Sequence, residues 1–273
     1  MGDLHQKGPK HWKERSKGWA STAAKGLPTD DTLNQFLIRK LQVKPGSKVL
    51  DIGSGTGDPA MSIGLTLKEN GSVTTCDLTS EMLVSARTRA TNLNIKIMNF
   101  TVADMVSLPY LENTFDYITC RFGLMFSENK NRAAMEAKRV LKPGGRIAYM
   151  VWGPYEKNPT FFIIRRTIYK MLDRKEIEPP QRHNLGSPGQ LKTILRSAGF
   201  DLSEETVVEY NRQVENLDDY IRSAVIRGYS DLIQALPAID LMDKLRKAFK
   251  PYQSNGTTLI PYHVRLGMAS KAK

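Results

Sequence analysis

Apolar positions over the first 150 residues alternate between two rhythms, and the alternation predicts strands and helices in turn. Short apolar runs fall at 48–52, 72–76, about 95–102, 115–120 and 146–151. Helical spacing fills the gaps. Residues 29–41 set Leu33, Phe36, Leu37 and Leu41 on one face, with Thr29 or Asp30 as the cap. Residues 60–68 predict a second helix. Residues 80–92 predict a third, capped by Ser80, with Met82, Leu83 and Ala86 inward. Residues 128–141 predict a fourth, stopped by Lys142-Pro143-Gly144-Gly145. Strands separated by helices pair in parallel with helices on both faces. The expected architecture is therefore α/β, a doubly wound, mostly parallel sheet.

After Trp152 the rhythm breaks. Residues 158–175 read as an amphipathic helix carrying Phe161, Phe162, Ile164, Ile168 and Leu172. Glu178-Pro179-Pro180 reads as a linker. Ser187-Pro188-Gly189 should cap a helix over 190–198, ended by Gly199. Residues 205–213 and 257–269 suit strands, and 216–249 a helix interrupted at Pro237. One domain over 29–273 is expected, with helical cap insertions at about 153–187 and 214–256 above the carboxyl edge of the sheet.

The chemistry concentrates at 49–57, Val-Leu-Asp-Ile-Gly-Ser-Gly-Thr-Gly. Asp51 closes the first strand. Gly53, Gly55 and Gly57 alternate with Ser54 and Thr56 before a helix. Such a turn lets the backbone approach a ligand that a Cβ would block, outside the carboxyl ends of the strands. A dinucleotide fingerprint starting at Gly53 requires glycine at 58, where this chain has aspartate. An acid there repels a pyrophosphate, so the turn suits a nucleoside without phosphates. Asp77 follows the second apolar run, twenty residues after Gly57, where an acid accepts hydrogen bonds from two ribose hydroxyls.

Four stretches in order, 49–58, 77–83, Asp104-Met105 and 139–152, resemble the class I S-adenosylmethionine methyltransferases, a Rossmann-like fold. Within them the chain is most similar to the ubiquinone/menaquinone-biosynthesis type and its small-molecule relatives. The resemblance is close over about 35–152 and loose over 153–273. It implies S-adenosylmethionine as cofactor and methyl transfer to an O, N or C atom of a small organic molecule. It implies that Asp51 orients the loop and the cofactor ammonium, and that residues 53–57 cradle the cofactor by their backbone. It further implies that Leu78 packs on the adenine face, that Asp104 accepts the adenine amine and that the Met105 N–H meets a ring nitrogen. Thr56, Cys120, Arg121 and Phe122 would hold the methionine moiety, Arg121 having a salt bridge as its alternative role. Lys142 to Gly145 is a structural turn in this family. Residues 1–28, with Lys7, Lys10, Lys13, Arg15, Lys17 and Lys25, would form a basic lid segment with Trp12 and Trp19 on one helical face.

Net charge is +12, yet residues 51–120 carry eight acids against four bases. The basic excess elsewhere suits an anionic substrate, an acidic membrane surface or nucleic acid. Amino-methylating enzymes that act on flipped bases carry an Asn/Asp-Pro-Pro-aromatic motif after strand 4, where this chain reads Cys120-Arg121-Phe122-Gly123, so a nucleic-acid substrate is the lesser reading. A non-catalytic cofactor-binding subunit is a further alternative, and Asp58 disfavours a dehydrogenase. No run approaches the ~18 apolar residues of a membrane span. The first 26 residues lack an apolar signal core, and two cysteines, Cys76 and Cys120, set no disulfide framework, so a cytoplasmic protein is expected. Displacement at a sulfonium needs little acid–base machinery. Candidates for a base, by residue type, are His183, His263, Tyr149 and Tyr155. No Cys/His/Asp cluster has metal-ligand spacing, so no metal is expected.

Overall fold

The computed structural model describes residues 8–23, 31–176 and 178–273, the side chains of 8–11, 22 and 202 excepted. Along the chain run α1 (Gly8–Thr22), α2 (Thr32–Leu41), β1 (Lys48–Ile52), α3 (Ala60–Leu67), β2 (Ser72–Asp77) and α4 (Ser80–Asn92). There follow β3 (Met98–Val102), β4 (Phe115–Arg121), α5 (Lys130–Val140), β5 (Leu141–Trp152) and α6 (Pro159–Met171). The last third holds α7 (Gln190–Ser197), β6 (Asp201–Val214), α8 (Leu217–Ile233), α9 (Ala238–Phe249), β7 (Gln253–Ser254) and β8 (Thr257–Ser270). The sheet order is β3-β2-β1-β4-β5-β8-β6, with β7 antiparallel to β8. β1 lies parallel between β2 and β4, β3 extends the β2 side and β5 the β4 side. The chain reverses its direction of growth after β3, so β1 and β4 are neighbours at the switch point, where α/β sheets bind ligands.

Several boundaries differ from the sequence reading for local reasons. Asp31 caps α2, its carboxylate accepting the Asn34 N–H at 2.9 Å, while Thr29 and Asp30 lie outside the described residues. Thr79, not Ser80, is the N-cap residue of α4, and its hydroxyl donates to Asp77 at 2.9 Å rather than capping the helix. The N-terminus of α7 is capped from a distance: the Glu205 carboxylate accepts the Gly189 and Lys192 N–H groups at 3.0 and 3.2 Å. β3 begins three residues later than the apolar run. β5 starts at Leu141, directly after α5, because Leu141 pairs with Phe115 and Arg146 with Tyr117. Residues 142–145 therefore bulge out of the ladder, and Gly144 takes the left-handed φ of 76° this requires.

The chain divides into two compact units. The first holds residues up to Val151 with Pro188–Thr206 and Leu266–Lys273, and its β1 and α3 side chains are buried almost without exception. The second holds Trp152–Ser187 and Val207–Arg265. There α6, α8 and α9 bury Ile164, Ile168, Ile221, Leu245 and Phe249 in a core of their own. α8 is kinked at Tyr229, whose φ of −144° leaves the helical range. Among the described residues no helix is long and apolar enough to cross a membrane.

Candidate cofactor site

The site is built on the carboxyl end of β1. Asp51 is fully buried, and its Oδ1 accepts the Thr119 hydroxyl of β4 at 2.6 Å. Its Oδ2 is sealed from solvent without a hydrogen-bond partner. Burial pushes the Asp51 carboxyl up to about 7, against the pull of the Thr119 hydrogen bond. Beyond it the turn takes left-handed φ angles at Gly53 (64°), Gly55 (53°) and Gly57 (107°), a region side chains rarely adopt. The Ser54 N–H donates to the Cys76 carbonyl at 3.0 Å, tying the turn to the end of β2, while the Ser54 hydroxyl is buried and unpartnered.

Three strand ends converge on this turn. A Cβ added to Gly53 would lie 3.5 Å from both Met105 Cε, after β3, and Gly123 Cα, after β4. Asp77, closing β2, accepts the Gly55 N–H at 2.9 Å on Oδ2 and the Thr79 N–H and hydroxyl at 3.1 and 2.9 Å on Oδ1. Burial raises its pKa, and those hydrogen bonds restrain the rise. A carboxylate has about four acceptor sites. Gly55 and Thr79 engage both of the Asp77 oxygens, so Asp77 is held in place by the turn it faces. A Cβ at Gly55 would meet nothing within 4 Å, so this turn faces open space. Leu78 and Met105 are half-buried beside it. Asp104 is exposed; its Oδ1 accepts the Val106 N–H at 3.1 Å in an Asx turn, leaving Oδ2 for a ligand.

Other residues that the resemblance assigns to the cofactor also have structural partners. Arg121 Nη2 lies 2.9 Å from Asp31 Oδ2, and its guanidinium stacks over the Phe122 ring at 5.1 Å. It holds α2 to β4, ninety residues away, which is the salt-bridge alternative. Phe122 has a left-handed φ of 58° and spends its N–H on the Met150 carbonyl at 2.7 Å. The Thr56 carbonyl accepts Arg89 Nη1 at 2.6 Å, and the same nitrogen lies 3.1 Å from Asp58 Oδ2. Cys120 is buried, its thiol pushed up to about 12 by burial. Arg121→Gln is expected to lower stability by about 1 kcal/mol, the scale of a partly exposed ion pair, in urea unfolding, with cofactor affinity changed less than about twofold, under 0.5 kcal/mol. A tenfold loss of affinity would return Arg121 to the cofactor.

The four candidate bases separate clearly. Tyr149 is 1% exposed within β5, its phenol kept neutral by burial, so no substrate proton reaches it. The Tyr155 hydroxyl donates to Glu176 Oε1 at 2.5 Å, and burial with that bond raises its pKa. His263 is framed by Asn158, which bonds both its backbone N–H and carbonyl, and its Nε2 lies 3.4 Å from Glu209. His183 bonds the Gly153 carbonyl through Nδ1 at 2.8 Å, and burial pushes its pKa down to about 3. With Nδ1 as the donor, His183 is a neutral imidazole whose Nε2 lone pair is buried and unpartnered. Among the described residues no three His, Cys, Asp or Glu side chains gather where a metal could bind.

Sequence reasoning missed Thr119, Thr79, Arg89 and Gly123. Thr79 had a signal, since the second residue after an aspartate is the usual Asx-turn partner. Thr119 had none, because its meeting with Asp51 depends on the β1–β4 register.

α1 lies against this region. The Trp12 indole meets the Phe126 ring edge-on at 4.8 Å, and Lys13 Nζ lies 3.1 Å from Glu81 Oε1 at the start of α4. Trp12 is half-buried and Trp19 is exposed.

The buried Asp51, the half-buried Asp77, the open space over a glycine turn and an ion-paired Asp58 suit a cationic nucleoside better than a pyrophosphate. The class I methyltransferases use S-adenosylmethionine as cofactor, and the residues present here fit it. The profile of the ubiE/COQ5 methyltransferase family matches residues 27–165, and the chain belongs to that family. It is similar to the ubiquinone/menaquinone biosynthesis C-methyltransferase UbiE of Cupriavidus metallidurans, 36% identical over 126 residues, 45% of this chain and 51% of that protein. The chain thus spans about half the length of that relative. Against UbiE of Burkholderia cenocepacia the match is 36% over 178 residues, 61% of this chain and 72% of that one. The solved YcgJ protein of Bacillus subtilis shares the fold, with a TM-score of 0.59 at 19% identity over 88% of this chain and 98% of that one.

Proposed function

We propose that this protein is an enzyme transferring a methyl group from S-adenosylmethionine to a nucleophilic O, N or C atom of a small organic molecule. The observation that carries this reading is the meeting of Asp51, Asp77, Met105 and Gly123 around the Gly53–Gly55 turn. S-adenosylmethionine supplies an electrophilic methyl with a neutral sulfide as leaving group. The chain has then to bind, align and exclude water, rather than to move many protons. Asp51 Oδ2 attracts an ammonium, Asp77 accepts a ribose hydroxyl and Asp104 Oδ2 accepts an adenine amine. Ser54 Oγ supplies a further buried polar contact. The N-terminal helix α1, seated on Phe126 and Glu81, acts as the lid. The second unit selects the acceptor, and the basic excess outside 51–120 favours one with a carboxylate or phosphate. The names of the UbiE relatives support a carbon nucleophile on a quinone precursor as the first acceptor to try. Two buried free thiols, Cys76 and Cys120, fit a reducing compartment such as the cytoplasm.

Incubation with S-adenosylmethionine and a panel of phenols, amines, carboxylates and quinols tests this directly. S-adenosylhomocysteine should accumulate with at least one member of the panel, and that member should gain 14 mass units, the roughly fixed increment of a methyl replacing hydrogen. Transfer confined to RNA would contradict the acceptor class.

A further inference from the structure

The second unit contains an arginine that its own residues leave without a counter-charge. Arg182 lies in a short turn, Gln181–His183, with its Cζ 4.8 Å above the Phe161 ring. Its Nε is sealed from solvent with no hydrogen-bond partner, and it forms no ion pair among the described residues. The nearby Glu176 is taken by Arg165 at 3.3 Å and Arg166 at 3.2 Å. Gly228 on α8, next to the kink at Tyr229, borders the guanidinium: a Cβ there would stand in ordinary contact, 3.8 Å from Arg182 Nη2. Burial pulls the Arg182 pKa down, with Arg165 opposing its charge as well. Arg182 is half-buried, and a guanidinium does not lose its proton in proteins, so its charge would gain from an anion.

What surrounds the arginine is flat and aromatic. Phe161 meets Trp152 edge-on at 4.8 Å, and Trp152 lies 5.4 Å from Tyr262. The Tyr262 hydroxyl is 2.8 Å from that of Tyr220, over whose ring Arg212 Cζ stands at 5.7 Å. Pairwise contacts thus link the two guanidinium groups through Phe161, Trp152, Tyr262 and Tyr220. His183 Nε2, unpartnered and buried, flanks the same Phe161 ring at a centroid distance of 5.1 Å. Aromatic side chains beside a half-buried, planar donor fork are complementary to an aromatic ring bearing a planar or tetrahedral anion.

We infer that the second unit binds an aromatic anion, its carboxylate or phosphate on the Arg182 guanidinium and its ring against Phe161 and Trp152. This deepens the proposed function and rests on its reading of the second unit as the acceptor-selecting one. Carboxylate and phosphate esters share the chemistry, and the probes tell them apart.

The test is calorimetry on the full chain with benzoate, phenyl phosphate and the neutral benzamide. At least one of the two anions should bind tenfold or more tightly than benzamide. That preference should fall to less than threefold in Arg182→Gln, and Arg182→Lys, which keeps charge without the fork, should lie between. S-adenosylhomocysteine affinity should stay within twofold in both variants, which also reports that they fold. Benzamide binding as tightly as both anions to the unaltered protein would overturn the inference whether or not the variants fold. An anion preference that survives Arg182→Gln would overturn it too. Failure of S-adenosylhomocysteine to bind, with the anion preference intact, would instead count against the methyl-transfer reading and leave this one standing.

Discussion

Asp77→Ala is expected to weaken S-adenosylhomocysteine binding by about 1–3 kcal/mol, the scale of removing a buried hydrogen-bond acceptor, and to lower folding stability by a similar amount. Both effects have one cause. The Asp77 carboxylate accepts from Gly55 and from Thr79 before any ligand arrives, so it shapes the glycine turn as well as facing the sugar. Its removal leaves two buried N–H groups without acceptors. Asp77→Asn should be milder for folding, since an amide oxygen keeps part of that set, yet nearly as damaging to binding, because the new NH2 faces donors. Calorimetry for affinity and urea unfolding for stability separate the two. Unchanged affinity in a folded Asp77→Ala protein would remove the sugar from this residue.

The second large effect runs the opposite way for folding. Asp51 is pushed up to about 7 in the folded chain, from an ordinary carboxyl value of 3.8, chiefly by burial. Between those two pH values the native state holds a proton that the unfolded chain has released. Its contribution to stability is therefore complete below about pH 4 and is lost as pH rises through about 7, a fall of up to roughly 4 kcal/mol at about 1.4 kcal/mol per pH unit. Asp51→Asn keeps an oxygen for the Thr119 hydroxyl and does not titrate. It should be more stable than the unaltered protein at pH 8 by about 2–4 kcal/mol, with a much smaller difference at pH 4. Cofactor affinity should move in the other direction, falling at least about tenfold, or 1.4 kcal/mol, because the carboxylate that lowers stability is the one proposed to meet the ammonium. Stability sacrificed at a binding site in this way is a general feature of enzymes. Urea unfolding at the two pH values reads the first effect and calorimetry the second. Equal pH slopes in both proteins would mean that Asp51 is ionised throughout.

The two results frame what the chain discloses before it folds. Strand β1 was readable to the residue, because Val49, Leu50 and Ile52 flank an acid and run into three alternate glycines, and local sterics dictate a turn there. Helices α2, α4 and α9 were readable from spacing. Their caps were not, because a cap is set by which side chain happens to be free. Thr79 turns to Asp77, and Glu205 reaches across from β6 to close α7. The start of β5 was hidden by Lys142 to Gly145, whose residues look like a stop and behave as a bulge.

In the site the division is similar. Glycines and strand-end acids announce themselves, since their conformation and position follow from the chain nearby. Arg121 could not declare its partner, because Asp31 precedes it by ninety residues. The four candidate bases looked alike as residue types and differ only in what burial and neighbours do to them. Arg182 was invisible for the same reason: its surroundings are assembled from Trp152, Phe161 and Gly228, which no spacing rule connects.

The most direct measurement is a crystal structure of the full chain grown with S-adenosylhomocysteine. The account predicts the nucleoside over the Gly53–Gly57 turn, a ribose hydroxyl on Asp77, the adenine amine at Asp104 and the ammonium within reach of Asp51. Well-ordered crystals with that turn empty at saturating S-adenosylhomocysteine, or with the nucleoside bound away from these three carboxylates, would contradict it.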